Sequence, residues 1–327
     1  MRHRTLGHSG IEVSTLALGT MMFGSWGNSD ESECHRMVDM AIDAGVTLFD
    51  TADIYDQGVS EHILGDALRG RRGKVVVATK CGNQMGDDPS SRGLSTRWIT
   101  QACEDSLRRL DVDHIDLFQA HRPDPDTPIE ETIAAFEALI TAGKIRAYGT
   151  STFSAEQLRA AYGAAAAAGA TAPTSEQPPY SVLARGIETE VLPTLRDANV
   201  GAIVWAPLNG GWLTGKYQHP GDADAASRAE RQPDHFDHGQ EAIRAAKLAA
   251  VDRLQAVADG AGVSLVQLAL GFVLADEVVA AAIIGPRTLP QLEQLLEAGH
   301  VDLPADVLAA IDDVVAPGAN LNPSDAG

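Results

Sequence analysis

Cysteine, positive charge, long apolar runs and a dinucleotide glycine fingerprint are all scarce or missing in this sequence, and each shortage removes a class of protein. Cys34, Cys81 and Cys103 are the three cysteines among 327 residues, with no Cys-x-x-Cys pair. An odd, widely spaced set argues against a disulfide frame or a zinc site and fits reduced thiols in a cytoplasmic setting. Lysine and arginine number 25 against 45 acidic residues, giving a formal net charge of −20 and a pI near 4.7. Such a chain is a poor general partner for nucleic acid or an anionic membrane, so an anionic ligand needs a local cationic pocket. The most apolar region, Val263–Ile284, is broken by Gln267, Asp276 and Glu277 and does not read as a membrane span. Met1-Arg2-His3-Arg4 runs into a polar turn, so no signal peptide is expected.

What is present is a 44% hydrophobic composition, enough for a large core. Arg4–Leu6 and Ile11–Val13 flank a glycine turn and predict an opening β-hairpin. Short apolar runs then recur as strand candidates: Thr15–Leu18, Thr47–Phe49, Val75–Thr79, Ile115–Gln119, Ala147–Gly149, Thr174–Glu176, Gly201–Trp205 and Ala281–Ile284. Helical patterns separate them, the first opened by Asp30-Glu31-Ser32-Glu33, whose carboxylates suit a helix N-terminus. Gln218–Gln240 reads as a long variable loop, either a cover for a cofactor or a plain insertion. Helices follow over Glu241–Asp259, Ser264–Ala275, Leu289–Leu296 and Pro304–Val314, and the tail from Pro317 reads as loose. Eight strands alternating with helices predict a (β/α)₈ TIM barrel with an N-terminal β-hairpin and extra C-terminal helices. The rival is a doubly wound sheet. Its Gly-x-Gly-x-x-Gly turn should follow the first strand, where Gly19-Thr20-Met21-Met22-Phe23-Gly24 stands instead. With no linker or composition break, residues 1–327 read as one domain.

A barrel carries its active site at the C-terminal ends of its strands. Those ends bear Asp50, Lys80 and His121 on three successive strands, with Tyr55 in the loop after Asp50. Each has an ordinary explanation alone: a loop-organising Asp or His, a solvated Lys, a rim Tyr. Together they suit the reduction of a carbonyl. A free tyrosine has a pKa of about 10; a nearby ammonium is expected to lower it, with Asp50 holding Lys80 charged. His121 can give the carbonyl oxygen a second hydrogen bond. None of the four supplies a hydride, so a cofactor must. Later strand ends offer places for one: Ser151 and Gln177 for a carboxamide, Trp205 as a flat face for a nicotinamide, then Lys216. Gly285 and Arg287 before a helix N-terminus make an anion site suited to a 2′-phosphate. Arg287 alone reads equally as a surface residue. Gly210-Gly211-Trp212-Leu213-Thr214-Gly215-Lys216 has the spacing of a phosphate-binding loop, but Tyr217 stands where Ser or Thr is required. No metal site is expected.

Several stretches resemble the aldo-keto reductase superfamily: Leu18-Gly19-Thr20-Met21, Phe49-Asp50-Thr51-Ala52-Asp53 with Tyr55, Ser60-Glu61, Ala78-Thr79-Lys80, Gly143-Lys144-Ile145-Arg146 and Leu213-Thr214-Gly215-Lys216-Tyr217. Arg92-Gly93-Leu94-Ser95 and His121-Arg122-Pro123-Asp124-Pro125 resemble the branch that includes bacterial reductases and potassium-channel β subunits. The resemblance implies NADPH bound on a barrel, with Tyr55 as general acid and Asp50, Lys80 and His121 completing a tetrad. It implies cofactor contacts at Gly19, Thr20, Met21, Asp50, Ser151, Gln177, Trp205, Leu208, Lys216, Gly285, Arg287 and Gln291. Thr152, Ala206 and Gln294-Leu295 depart from the family's frequent Asn, Ser and Glu-Asn. Three functions compete: an oxidoreductase acting on small carbonyl compounds, a slow cofactor-binding regulatory subunit, and a Schiff-base aldolase using Lys80. Channel subunits carry Asn in place of His121, which weighs against the second. Asp50 should keep Lys80 protonated, which weighs against the third. Trp26, Met22, Met85 and Trp212 could form an apolar substrate pocket or simply pack.

Overall fold

Strands covered on both faces read as short unbroken apolar runs, and the eight runs picked out above do close on one another. The computed structural model describes residues 1–217, 240–299 and 301–326. The hairpin strands β1 (His3–Thr5) and β2 (Glu12–Ser14) pair antiparallel. The barrel is β3 (Leu16–Gly19), β4 (Leu48–Asp50), β5 (Val76–Cys81), β6 (Ile115–Ala120), β7 (Ile145–Ser151), β8 (Ser175–Gln177), β9 (Gly201–Val204) and β10 (Val279–Ile284). All neighbours are parallel, and β10 returns to pair with β3, Ala282 opposite Leu16. Closure excludes the doubly wound sheet, which has two open edges. Residues 218–239, within the expected variable loop, lie outside the described residues.

The flanking helices are α1 (Glu31–Asp43), α2 (Val59–Ala67), α3 (Thr96–Leu110), α4 (Ile129–Thr141), α5 (Ala155–Ala168) and α6 (Val191–Ala198). Beyond the undescribed stretch come α7 (Glu241–Ala261), α8 (Leu265–Ala275), α9 (Leu289–Ala298) and α10 (Ala305–Val314). Their starts are chemically marked. Asp30 accepts from Glu33 N, and Ser154–Gln157 and Ser264–Gln267 form reciprocal capping boxes. Among the described residues no single helix is long and apolar enough to cross a membrane.

Two apolar layers result. The larger lies between the strands and the helices, around residues such as Phe49, Phe118, Phe136 and Leu268. The smaller fills the barrel interior with Ala17, Leu48, Ala78, Leu117, Ala147 and Ile203, and the hairpin adds Leu6, Ile11 and Val13 to it. The hairpin therefore plugs the N-terminal end. Arg4 fastens it by donating to the carbonyls of Leu274, Asp276 and Val279. Gly7, at φ +52, fits because it has no Cβ: one would lie 2.8 Å from Asn199 O, Thr174 O and Gly201 N. With that end sealed, the opposite mouth is left for chemistry.

One sequence expectation fails. The tail beyond Pro317 is not loose. Leu321 N donates to Leu183 O, Arg185 N to Ala319 O and Gly186 N to Asn320 Oδ1. Asp325 pairs with the buried Lys247 at 2.8 Å and accepts from Asn209 Nδ2 at 2.9 Å. A polar, glycine-containing segment looked free because its partners, from Leu183 to Lys247, are distant in sequence.

Candidate active site

Parallel register sets Asp50, the last residue of β4, between Gly19 of β3 and Ala78 of β5. Lys80 lies two residues further along β5, on the same side of the pleat as Ala78. Its Nζ is 2.6 Å from Asp50 Oδ1, 2.7 Å from Thr51 O and 3.3 Å from Tyr55 Oη. The Lys80 side chain is 0% exposed, so this is a buried ion pair in which each ammonium proton has an acceptor.

Tyr55 is delivered by an unusual turn. Asp56 (φ 48), Gln57 (φ 55) and Gly58 (φ 92) are all left-handed, and the first two cost about 1 kcal/mol each. That cost is offset locally. Asp56 accepts from Ser25 N (2.7 Å) and Ser25 Oγ (2.6 Å), and Gln57 Oε1 accepts from Gly86 N at 2.9 Å. His121 follows β6 and meets Tyr55 edge-on, with ring centroids 5.9 Å apart. Its Nδ1 lies 3.1 Å from Asn83 Nδ2. Tyr55 and His121 are half-buried and line the mouth.

Desolvation dominates the protonation states. It raises the Tyr55 phenol above its usual value; Lys80 pulls it back down without winning, and Asp50 adds to the rise. The expected lowering of the Tyr55 pKa is therefore not found, because burial outweighs the ammonium. The phenol stays protonated, as a proton donor must. Burial alone would lower Lys80, but Asp50 and Tyr55 together hold it above its ordinary range. Desolvation, Lys80 and Arg122 push His121 well below the usual imidazole value, so the ring is neutral. A proton donor, a fixed cation and a neutral imidazole thus share one mouth.

A second set of polar groups adjoins the first. Asp50 Oδ2 accepts from Gln177 Nε2 at 2.8 Å and Gln119 Nε2 at 3.4 Å, while Ser151 Oγ donates to Gln177 O at 2.8 Å. Asp50 therefore joins the β4–β6 residues to Ser151 and Gln177. Glu176, fully buried, accepts from Thr150 Oγ1 and Phe153 N, and burial raises its pKa to about 8. Behind Lys80, Glu61 binds Thr79 and Arg109, but both carboxyl oxygens of the buried Asp53 lack a hydrogen-bond partner among the described residues. Burial and Glu61 hold Asp53 well above the usual carboxyl range.

The other sequence candidates are distributed as follows. Thr20 is buried, with its hydroxyl on Ser60 at 2.8 Å and its N–H on Asp50 O, so its side chain serves the fold. Met21 is half-buried. Trp205 stands half-buried just past β9, and Leu208 packs against the outer core. Lys216 is exposed, its Nζ 5.0 Å above the Tyr217 ring. Gly285, Arg287 and Gln291 form a separate group at the start of α9. There Gln291 Oε1 accepts from Arg287 N, Asn28 Nδ2 donates to Arg287 O, and Glu33 accepts from Leu289 N. Of the four apolar pocket candidates, Met22 and Trp212 are core residues at 6% and 2% exposure. Trp26 is 37% exposed, with its ring 6.3 Å from Tyr55. Thr51, Asn83 and Gln119 were not singled out from the sequence. Gln119, on the strand that ends just before His121, carried the clearest signal.

A family model described as "Aldo/keto reductase family" matches residues 15–316. The chain belongs to the aldo/keto reductase family. It is 36% identical over 309 residues to the "Probable voltage-gated potassium channel subunit beta" of Arabidopsis thaliana, with 92% of each chain covered. It is equally similar, 36% over 325 residues and 96% of each chain, to the "Uncharacterized oxidoreductase YrpG" of Bacillus subtilis (strain 168). The "Aldo-keto reductase YhdN" of the same organism is 36% identical over 307 residues, covering 91% of this chain and 88% of that one. The protein is thus an aldo/keto reductase-family oxidoreductase. Two of its departures from the family pattern, Thr152 (φ 58) and Ala206 (φ 55), stand at left-handed positions. An Asn tolerates that conformation far better than a β-branched Thr.

Proposed function

We propose that this protein reduces an aldehyde or ketone to an alcohol with NADPH, Tyr55 acting as general acid. The observation that carries the reading is Lys80 Nζ, 2.6 Å from Asp50 and 3.3 Å from Tyr55 Oη at a mouth shared with His121. As negative charge gathers on the carbonyl oxygen, Tyr55 gives up its proton and Lys80 stabilises the phenolate left behind. Asp50 keeps the ammonium in place. His121, being neutral, can donate one hydrogen bond without adding a second charge beside Lys80. The buried, charged Lys80 disfavours the Schiff-base alternative, which needs a free amine.

A reduced nicotinamide bound at this mouth would supply the hydride. The residues fit such a cofactor. Ser151 and Gln177 bring polar groups beside Asp50, and Trp205 stands at the next strand end. The Arg287 guanidinium has no partner among the described residues, and a Cβ built on Gly285 would meet nothing within 4 Å. That exposed backbone and cation suit a phosphate at the start of α9, and Arg287 favours NADPH over NADH. The acidic surface supports a small-molecule partner rather than nucleic acid or membrane, in a cytoplasmic setting. The equal identity to a potassium-channel β subunit supports a second reading, a cofactor-holding regulatory subunit with slow turnover.

The test is a panel of aldehydes and ketones with NADPH, followed by its absorbance. Turnover should appear with the wild type and fall by about 10²- to 10⁴-fold in Tyr55→Phe with cofactor binding intact. Unchanged turnover in Tyr55→Phe would reject Tyr55 as the acid. Tight cofactor binding with no turnover on any carbonyl would favour the regulatory reading.

A further inference from the structure

His121 is neutral, so one ring nitrogen carries a proton and the other a lone pair, and only the protonated one can donate to a carbonyl oxygen. Which nitrogen holds the proton is set by what the other ring nitrogen meets. Nδ1 lies 3.1 Å from the side-chain nitrogen of Asn83, and an amide nitrogen only donates. Nε2 has no partner among the described residues. We propose that Asn83 is a positioning residue, whose amide donates to Nδ1 and thereby holds His121 as the Nε2–H tautomer, a neutral donor beside Tyr55.

The contact is built into the backbone. β5 and β6 are in register through Lys80↔Gln119 and Cys81↔Ala120, and His121 N then donates to Cys81 O at 2.8 Å. Gly82, at φ +121, turns the chain, and its carbonyl accepts from Gly93 N at 2.9 Å. Asn83 follows at once, so two hydrogen bonds fix its starting point relative to the imidazole. Asn83 is half-buried, which limits competition from water. The reversed amide would put Oδ1 against Nδ1–H and leave Nε2 with only a lone pair, repelling the oxygen that His121 should polarise. A doubly protonated ring would set Nδ1–H against the amide N–H, so Asn83 also disfavours the imidazolium, as Lys80 and Arg122 do.

The inference rests on the carbonyl-reductase reading, and two separable measurements test it. The first is two-bond ¹H–¹⁵N NMR on the full-length protein labelled with ¹⁵N-histidine, the His121 signal being assigned by its loss in His121→Gln. Wild type should show the Nε2–H pattern. Asn83→Leu, which removes the donor at similar volume, should show a tautomer mixture. Asn83→Asp, near-isosteric but an acceptor, should move the proton to Nδ1. The second is steady-state kinetics: kcat should fall about tenfold in Asn83→Leu, the loss expected for one neutral hydrogen bond, with KM for NADPH unchanged. An Nδ1–H tautomer in wild type overturns the proposal, even if neither variant folds. So does an Asn83→Leu protein with unchanged tautomer and kcat. A wild type that reduces no carbonyl compound would remove the reductase reading, while the tautomer pattern would still decide what Asn83 does to His121.

Discussion

Glu176 offers a measurement whose size follows from its surroundings. It is 0% exposed in the middle of β8, with Thr150 Oγ1 at 2.5 Å and Phe153 N at 3.1 Å and no ion-pair partner among the described residues. Burial raises its pKa from 4.5 to about 8. The folded protein therefore binds a proton that the unfolded chain releases between those values. Stability must fall as pH rises across that window, since the native state holds more protons there. At about 1.4 kcal/mol per pH unit, the loss is about 3 kcal/mol by pH 7 and about 5 kcal/mol above pH 8. Glu176→Gln keeps the shape and mimics the protonated form, with an amide N–H able to donate to Thr150. Urea unfolding of both proteins from pH 5 to 8.5 should show the variant gaining about 4 kcal/mol on wild type across that range. The slope carries the test, because altered hydrogen-bond geometry adds only a pH-independent offset. A stability difference that stays flat with pH would refute a protonated buried carboxyl at this position.

Lys80→Met should cost about 3–5 kcal/mol in urea unfolding because it strands the Asp50 carboxylate in the interior; a loss below about 1 kcal/mol would mean that water reaches Asp50. Thr152→Asn should relieve left-handed strain at φ 58 by about 1 kcal/mol, seen as a rise in Tm, and a lower Tm would contradict the strain. Arg287→Ala should raise KM for NADPH roughly 10- to 100-fold, from the loss of a charged hydrogen bond, with KM for NADH little changed. Equal effects on the two cofactors would remove its assignment to the 2′-phosphate.

Much of the fold was legible because the barrel's signals are local. Apolar runs, capping residues such as Asp30, Ser154 and Ser264, and glycine turns each act within a few residues. The start of α7 falls where the periodicity puts it. The docked tail was illegible because its partners, Leu183, Arg185 and Lys247, are distant in sequence. The hydrogen bonds of Thr20 to Ser60 and Asp50 were likewise invisible, because those partners lie 40 and 30 positions away. Asn83 gave no local sign that it meets His121.

The order of residue types along the chain determined the eight-fold alternation, the acidic surface and the strand-end positions of Asp50, Lys80 and His121, because periodicity and strand polarity are properties of short windows. Only the closed barrel decided that Lys80 bridges Asp50 and Tyr55, that Asp50 reaches Gln177 across the mouth, and that burial raises the Tyr55 pKa against the pull of an adjacent ammonium. Those outcomes depend on distances and solvent exclusion between residues up to 127 positions apart, which exist only once the strands have closed.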